Sequence, residues 1–190
     1  MSMKKYLILV KHSLPKIVEN IPAQKWDLSN EGRKRAQRLA GRLNQYQPEV
    51  IVSSVEPKAK ETAKIIAAKH NLELHIAEGL HEHDRSKVKF LPKDEFQAAV
   101  REFFEKPDRL VFGSETADQC HARFEQAVHS ILNHHLDKAV VIVAHGTVIS
   151  LFVSRLTGIS DLLLWNELGL PSFLVIDMQS AALIERENIF

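Results

Sequence analysis

Two apolar runs in this chain stop abruptly at a histidine: "LILVKHS" at His12 and "VVIVAHGT" at His145. An imidazole attacks phosphorus when its reactive nitrogen is unprotonated and the other ring nitrogen is held by a hydrogen bond. Cations around it bind phosphoryl oxygens and lower the imidazolium pKa by like-charge repulsion. A second imidazole and the N–H groups of a helix start stabilise the group in transfer, and a carboxylic acid protonates the leaving alkoxide. The chain has a residue for each task. Lys11 and Ser13 flank His12, Lys58 follows the apolar "VIVSS", Gly146 and Thr147 follow His145, and Glu82 lies in the irregular "AEGLHEHDRS". Taken singly, Lys11 and Lys58 read as solvated cations and Glu82 as a loop acid. Taken together they are a complete set for metal-free phosphoryl transfer.

That chemistry requires elements that bring these segments to one edge. Tyr6 to Val10 reads as a short buried strand, and "EVIVSS" as a second. Leu72, Leu74 and Ile76 alternate as a third, and the β-branched "AVVIVAH" has the unbroken apolar character of a central strand covered on both faces. "SFLVIDM" is a fifth strand, with a short one at Ala182 to Glu185. Between them the apolar spacing predicts helices. One is capped by Ser29 and runs through Ala36, Leu39 and Leu43, and one opens at Pro57 and runs toward Asn71. Others are centred on Phe96 to Phe103 and on Ala117 to Ile131, and the last runs from Val148 to a stop at Gly158. Ala77 to Leu91 reads as a long polar excursion. The apolar "VKFLP" and "REFF" read as segments that pack into the core. Strands alternating with helices imply an α/β three-layer sandwich, a largely parallel, mixed sheet with helices on both faces. In such sheets ligands bind outside the carboxyl ends of the strands, where Lys11, His12, Ser53, Ser54 and His145 are expected.

At 190 residues and without a repeat or linker, the chain reads as one domain, 1–190. A net charge of +1 with no clustered basic face excludes a nucleic-acid footprint, while a few local cations suffice for a small phosphorylated substrate. The single cysteine, Cys120, excludes an internal disulfide and a multi-cysteine zinc site. The apolar part of "MSMKKYLILVKH" is shorter than the ~7–15 residues of a secretory h-region, and no run reaches the ~18 of a membrane span. The expected location is therefore the cytoplasm, without a membrane partner. Oligomeric state is not readable; a homodimer is admitted and not required.

Read in order, the motifs resemble those of the histidine phosphatase superfamily, the phosphoglycerate-mutase-like group. "KHS" after the first strand resembles its Arg-His-Gly motif, which implies that His12 is the phosphorylated nucleophile. "WDLSNEGRKRAQRLAGRL" is similar to its Leu-(Ser/Thr)-x-x-Gly-x-x-Gln-Ala helix, and "VSSVEPKAKETAKIIA" resembles its Ser-Ser-Pro-Leu-x-Arg segment, with Lys58 on the second arginine. "GSETADQCHARF" looks like its Gly-Glu-Ser/Thr helix start, "IVAHGTVIS" matches its second His-Gly motif at His145, and "LHEHD" takes the place of its Leu-x-Glu acid, which makes Glu82 the proton donor. The resemblance implies a cofactor-free phosphatase with catalytic His12, Glu82 and His145. It implies a phosphate pocket of Lys11, Ser13, Lys58, His145, Gly146 and Thr147, with both lysines aimed into the crevice.

The chain also departs from that pattern. Lys11 and Lys58 replace arginines and lack their planar, two-pronged fork. Ser13 replaces a glycine, and Val55 and Glu56 replace Pro-Leu, so that Glu56 puts an anion near the pocket. The expected function is a metal-independent phosphomonoester hydrolase working through phosphohistidine on a small metabolite or a phosphoprotein. One alternative is a relative that binds a phosphorylated ligand without turnover. A second is a phosphoglycerate-mutase-type phosphotransferase, against which the short region around Glu82 argues. A third is a metal-dependent hydrolase using His81 and His83 of "HEHD".

Overall fold

The strands form in the order the apolar runs predict. In the computed structural model, which describes residues 6–89 and 91–190, they are β1 (Tyr6–Lys11), β2 (Val50–Ser53), β3 (Leu74–Ile76), β4 (Val140–Ala144), β5 (Ser172–Asp177) and β6 (Ala182–Asn188). They make one sheet in the order β3-β2-β4-β1-β5-β6. The pairs β1·β4, β2·β4 and β2·β3 are parallel, whereas β5 runs antiparallel to β1 and β6 antiparallel to β5. The sheet is thus mixed, and the parallel part carries the site. Because β2, β4 and β1 are neighbours, with Lys11 opposite Ala144 and Ser53 opposite Val143, the loops that follow them leave from one edge.

Period-2 alternation divides each strand between two helical layers. Ile8, Val10, Ile51, Val141 and Val143 face α1 (Asn30–Arg42) and α2 (Pro57–His70). Leu7, Leu9, Val52, Val140 and Ile142 face α3 (Lys93–Glu105), α4 (Ala117–His134), α5 (Gly146–Thr157) and α6 (Asp161–Glu167). Every residue of β4 is fully buried. That explains its run of valines and isoleucine, each contributing roughly 1.5–3 kcal/mol of burial.

The helix ends are where residue choice shows most clearly. Ser29 caps α1 by accepting the Gly32 N–H at 2.9 Å, and Pro57 opens α2 at the position where a missing N–H costs nothing. Thr116 and Gln119 form a reciprocal capping box at α4, and Gly158 ends α5 with φ +78°. Gly32 has a steric reason to be glycine, since a Cβ there would lie 2.1 Å from the Leu14 carbonyl oxygen.

Three features differ from the expectation. Helix α6 has too few residues to show a period, yet Ser160 caps it and Leu164 is fully buried. The 77–91 excursion is not simply polar, because Leu80 and His83 are buried. Phe103 and Phe104 pack in the core as read, but Val88 and Leu91 of "VKFLP" line a crevice instead, and Phe90 lies outside the described residues.

Candidate active site

His12 follows β1 immediately, its N–H donating to the Ala144 carbonyl at 3.0 Å and extending the β1·β4 ladder. The segment after it is pinned on both sides. The Ser13 N–H donates to Thr62 Oγ1 of α2 at 3.0 Å, and the Ser29 N–H donates to the Leu14 carbonyl at 3.0 Å. His12 Nδ1 lies 2.8 Å from the Ser13 carbonyl oxygen. That oxygen can only accept, so Nδ1 carries the hydrogen and Nε2 keeps the lone pair. Burial holds the His12 pKa well below the ordinary imidazole value, with His145, Lys58 and Lys11 adding like-charge repulsion. The ring is neutral at pH 7, as a nucleophile must be.

The two histidines meet as their strand positions require, ring centroids 5.1 Å apart and edge to face. His145 is fully buried, and burial followed by Lys58 keeps its pKa well below the usual value. Its Nε2 is 2.9 Å from Ser54 Oγ and 3.5 Å from Glu56 Oε1. The carboxylate, an acceptor, favours hydrogen on Nε2. Glu56, the anion that the sequence puts near the pocket, stands among these groups. It is 6% exposed, pairs through Oε2 with Lys58 Nζ at 2.5 Å, and accepts the Glu82 N–H through Oε1 at 2.9 Å. Lys58 also donates to the Ala23 carbonyl at 2.7 Å.

Lys58, His12 and Glu82 line the crevice; Lys11 and Ser13 do not, and His145, Gly146 and Thr147 lie buried behind its wall. Lys11 donates from Nζ to the Leu168 carbonyl at 2.7 Å, at the end of α6. Alternation explains this, because Lys11 shares a strand face with Leu7 and Leu9, toward α5 and α6. Desolvation lowers its pKa to about 8, against a raising influence from Glu82. The Ser13 hydroxyl donates to the Gly32 carbonyl at 2.6 Å and so turns toward α1. The resemblance implies a place in the pocket for Ser13, and a backbone acceptor across the fold at the start of α1 is invisible in a one-dimensional reading.

Gly146 and Thr147 open α5 beside His145, and Gly146 lets the Lys11 stem pass, since a Cβ there would lie 3.2 Å from Lys11 Cε. The amides of this helix start already have an anion. Glu82 accepts the Thr147 N–H at 3.1 Å, the Val148 N–H at 3.3 Å and the His83 N–H at 2.9 Å. Burial alone would raise its pKa. The Arg85 guanidinium, the His145 ring and these amides outweigh it and hold Glu82 below the usual carboxylate value. Arg123, from α4, sets the Glu82 loop in place. It donates to the carbonyls of Gly79 at 2.7 Å and His81 at 2.9 Å, and its own guanidinium pairs with Glu115 at 2.6 Å. Glu115 stands in the "GSET" segment, which gives that motif a structural task.

The "HEHD" run does not converge on a point. His83 is stacked on Phe103 with centroids 4.2 Å apart, edge-on to Phe112, while the Asp84 carboxylate accepts the Ser86 N–H. Among the described residues no group of three or more His, Cys, Asp or Glu side chains is placed to hold a metal ion. Outside the polar floor, the crevice of about 590 Å³ widens between Ile21, Trp26, Phe96 and Phe112, with Arg85 over the Phe96 ring at 4.9 Å.

The mixed α/β sheet thus presents two facing histidines at its carboxyl edge. Residues 18–182 match the histidine phosphatase superfamily (branch 1), and the chain belongs to that family. The matched stretch begins just after the Lys-His-Ser motif. Over 169 residues the chain is 27% identical to phosphoserine phosphatase 1 of Hydrogenobacter thermophilus, covering 86% of this chain and 78% of that protein. Its fold superposes on phosphoserine phosphatase of Entamoeba histolytica, solved with 3-phosphoglyceric acid, with a TM-score of 0.78, 20% identity and 97% of each chain covered. A mycobacterial glucosyl-3-phosphoglycerate phosphatase gives 0.75 at 22% identity, covering 90% of this chain and 89% of that one. The phosphoglycerate-mutase-like fold expected from the motifs is the fold observed. Family and relatives together support a phosphatase. No helix among the described residues is long and apolar enough to cross a membrane.

Proposed function

We propose that the protein is a metal-independent phosphomonoester hydrolase that works through a phosphohistidine at His12. The observation that carries this reading is the His12 tautomer: Nδ1–H is spent on the Ser13 carbonyl, and the neutral ring keeps its Nε2 lone pair beside His145. Nε2 attacks phosphorus, and the N–P bond forms as the ester P–O bond breaks, its electron pair leaving on the alkoxide oxygen. Lys58 neutralises charge on the phosphoryl oxygens, and the His145 Nε2–H joins it by turning to them from Ser54 and Glu56. Glu82 begins as an anion on the Thr147 and Val148 amides. A phosphoryl dianion arriving at the same helix end raises the Glu82 pKa by like-charge repulsion, so that Glu82 takes up a proton from solvent and then gives it to the alkoxide. In the second half water attacks the phosphohistidine, loses a proton to Glu82, and the N–P bond breaks to release phosphate. Lys11 acts at one remove, as a charge behind Gly146.

A second reading, binding without turnover, has one observation in its favour: both lysines are already engaged, Lys58 with Glu56 and Lys11 with Leu168. Turnover of p-nitrophenyl phosphate in the presence of a chelator separates the readings. The wild type is expected to turn over and to yield an acid-labile, base-stable phosphate adduct on His12. His12→Ala is expected to lose both. Full activity in that variant, or activity lost to the chelator and restored by zinc, would overturn the mechanism. Phosphoserine and glucosyl-3-phosphoglycerate, the substrates in the relatives' names, are natural first members of a wider screen of small phosphorylated metabolites and phosphoproteins.

A further inference from the structure

A phosphate pocket that holds a carboxylate of its own is unusual electrostatically. The ammonium group of Lys58 has two partners already, Glu56 Oε2 at 2.5 Å and the Ala23 carbonyl at 2.7 Å. Glu56 is itself fixed from three sides. Lys58 holds it from α2, the Glu82 N–H from the 77–91 loop, and the His145 Nε2 from the end of β4 at 3.5 Å. With both imidazoles neutral, Lys58 and Glu56 cancel one another next to His12, while the Glu82 charge at the start of α5 is answered by Arg85 and, from behind Gly146, by Lys11. A phosphoryl dianion entering this floor must take Lys58 away from a buried carboxylate that stays beside it. Two anions then share one ammonium ion at close range, in a setting where a few ångströms of separation leave the repulsion poorly screened.

The outer part of the cavity is more apolar. The whole cavity, about 590 Å³, falls among pockets that enclose drug-sized ligands, and Ile21, Trp26, Val88, Leu91, Phe96 and Phe112 line it together with charged Glu19, Arg85, Lys89 and Lys93. Four of these belong to two segments, Ile21 and Trp26 before α1, Val88 and Leu91 before α3. Apolar and aromatic walls of this kind hold the organic part of an ester, not its phosphate.

We propose that Glu56 is a specificity-determining residue: by competing for Lys58 it weakens the grip on the phosphoryl dianion, so that the site selects phosphomonoesters through a bulky apolar or aromatic leaving group. This deepens the phosphatase reading and rests on it. The consequence is weak binding of free phosphate, hence little inhibition by product, and poor use of esters too small to reach the aromatic wall.

The test pairs two alkyl phosphates of matched leaving-group basicity, ethyl phosphate and 2-(1-naphthyl)ethyl phosphate, with calorimetric titration of sulfate, a tetrahedral dianion that cannot be hydrolysed. Wild type is expected to favour the naphthyl ester in kcat/KM by about tenfold or more, and Trp26→Ala to lower only that substrate. Glu56→Gln is expected to bind sulfate about tenfold more tightly and to narrow the preference by raising kcat/KM for ethyl phosphate. Glu56→Leu, which restores the residue common in the family, should do the same and guards against an effect peculiar to glutamine. Sulfate binding unchanged or weakened in both variants would overturn the role of Glu56, as would equal use of the two esters by wild type. If no ester is hydrolysed the phosphatase reading fails, while the sulfate titration still decides whether Glu56 competes for Lys58.

Discussion

Replacing Glu82 by glutamine separates its two duties, because it removes a charge and keeps the shape. In the ligand-free protein the carboxylate accepts three backbone N–H groups, from His83, Thr147 and Val148, at 2.9, 3.1 and 3.3 Å. A glutamine has one acceptor oxygen, so at least one amide at the start of α5 loses its partner and the rest pair with a neutral group. A hydrogen bond to a charged group contributes roughly 1.5–3 kcal/mol against roughly 0.5–1.5 for a neutral one. The loss of an anion at a helix start adds roughly 0.3–2 kcal/mol, overlapping with the first amount. About 2 kcal/mol is therefore the expected cost, which for a chain of this size lowers Tm by about 4–8 °C. The pH dependence has a definite sign. Glu82 has a folded pKa below its unfolded value, so its contribution is fully present above about pH 4.3 and fades as pH falls through the depressed folded value. Thermal melts of wild type and variant at neutral pH, repeated at steps toward pH ~3, should show the gap in Tm close. Equal Tm at neutral pH, or a gap that does not shrink in acid, would refute the account of Glu82 as an anionic cap. The same variant should slow an alkyl phosphate far more than p-nitrophenyl phosphate, since a good leaving group departs without a proton.

Two further outcomes follow from the geometry. Lys11 titrates at about 8, so the activity that its charge supports should fall above that pH, and Lys11→Arg should move the alkaline limb upward. Its contribution to stability runs the other way, rising between about pH 8 and about pH 10.4 because the unfolded chain keeps the proton that the folded chain drops. Gly32→Ala should cost about 1–3 kcal/mol in a denaturant melt and depress kcat without touching the crevice, because its methyl would meet the Leu14 carbonyl at 2.1 Å and push the segment that carries His12.

What could be read without coordinates was whatever depends on position along the chain. His12 and His145 end buried strands that prove to be neighbours, and Ser29, Pro57 and Gly158 mark helix ends where they were expected. What could not be read depends on where side chains find partners across the fold. Ser13 turns to a carbonyl exposed by the close approach of Gly32, and Arg123 reaches back over forty positions to hold the Glu82 loop. Lys11 is the instructive case, because the alternation Leu7, Leu9, Lys11 was present in the sequence and already assigned it to the face that α5 and α6 cover. Glu56 was visible as a departure, but nothing in its neighbours along the chain shows that it meets Lys58, His145 and Glu82 at once.

The position of β1 in the sheet has a consequence for how the molecule is made. The strand that ends at the nucleophile is the first to be synthesised, yet both of its neighbours come late: β4 at residues 140–144 and β5 at residues 172–177. At roughly 5–20 residues per second on a ribosome, Tyr6 to Lys11 waits on the order of 10 s before either partner has been made. Through that interval "YLILVK" is a β-prone apolar segment with nothing to pair with in the sheet, and its pairings are of high sequence separation, which slows closure further. Once β4 slides between β2 and β1, it joins the early half of the chain to the late half and brings His145 to His12 in the same event. A nascent or truncated chain that stops short of β4 therefore has no second histidine and no central strand. Activity, when it appears, should appear all at once.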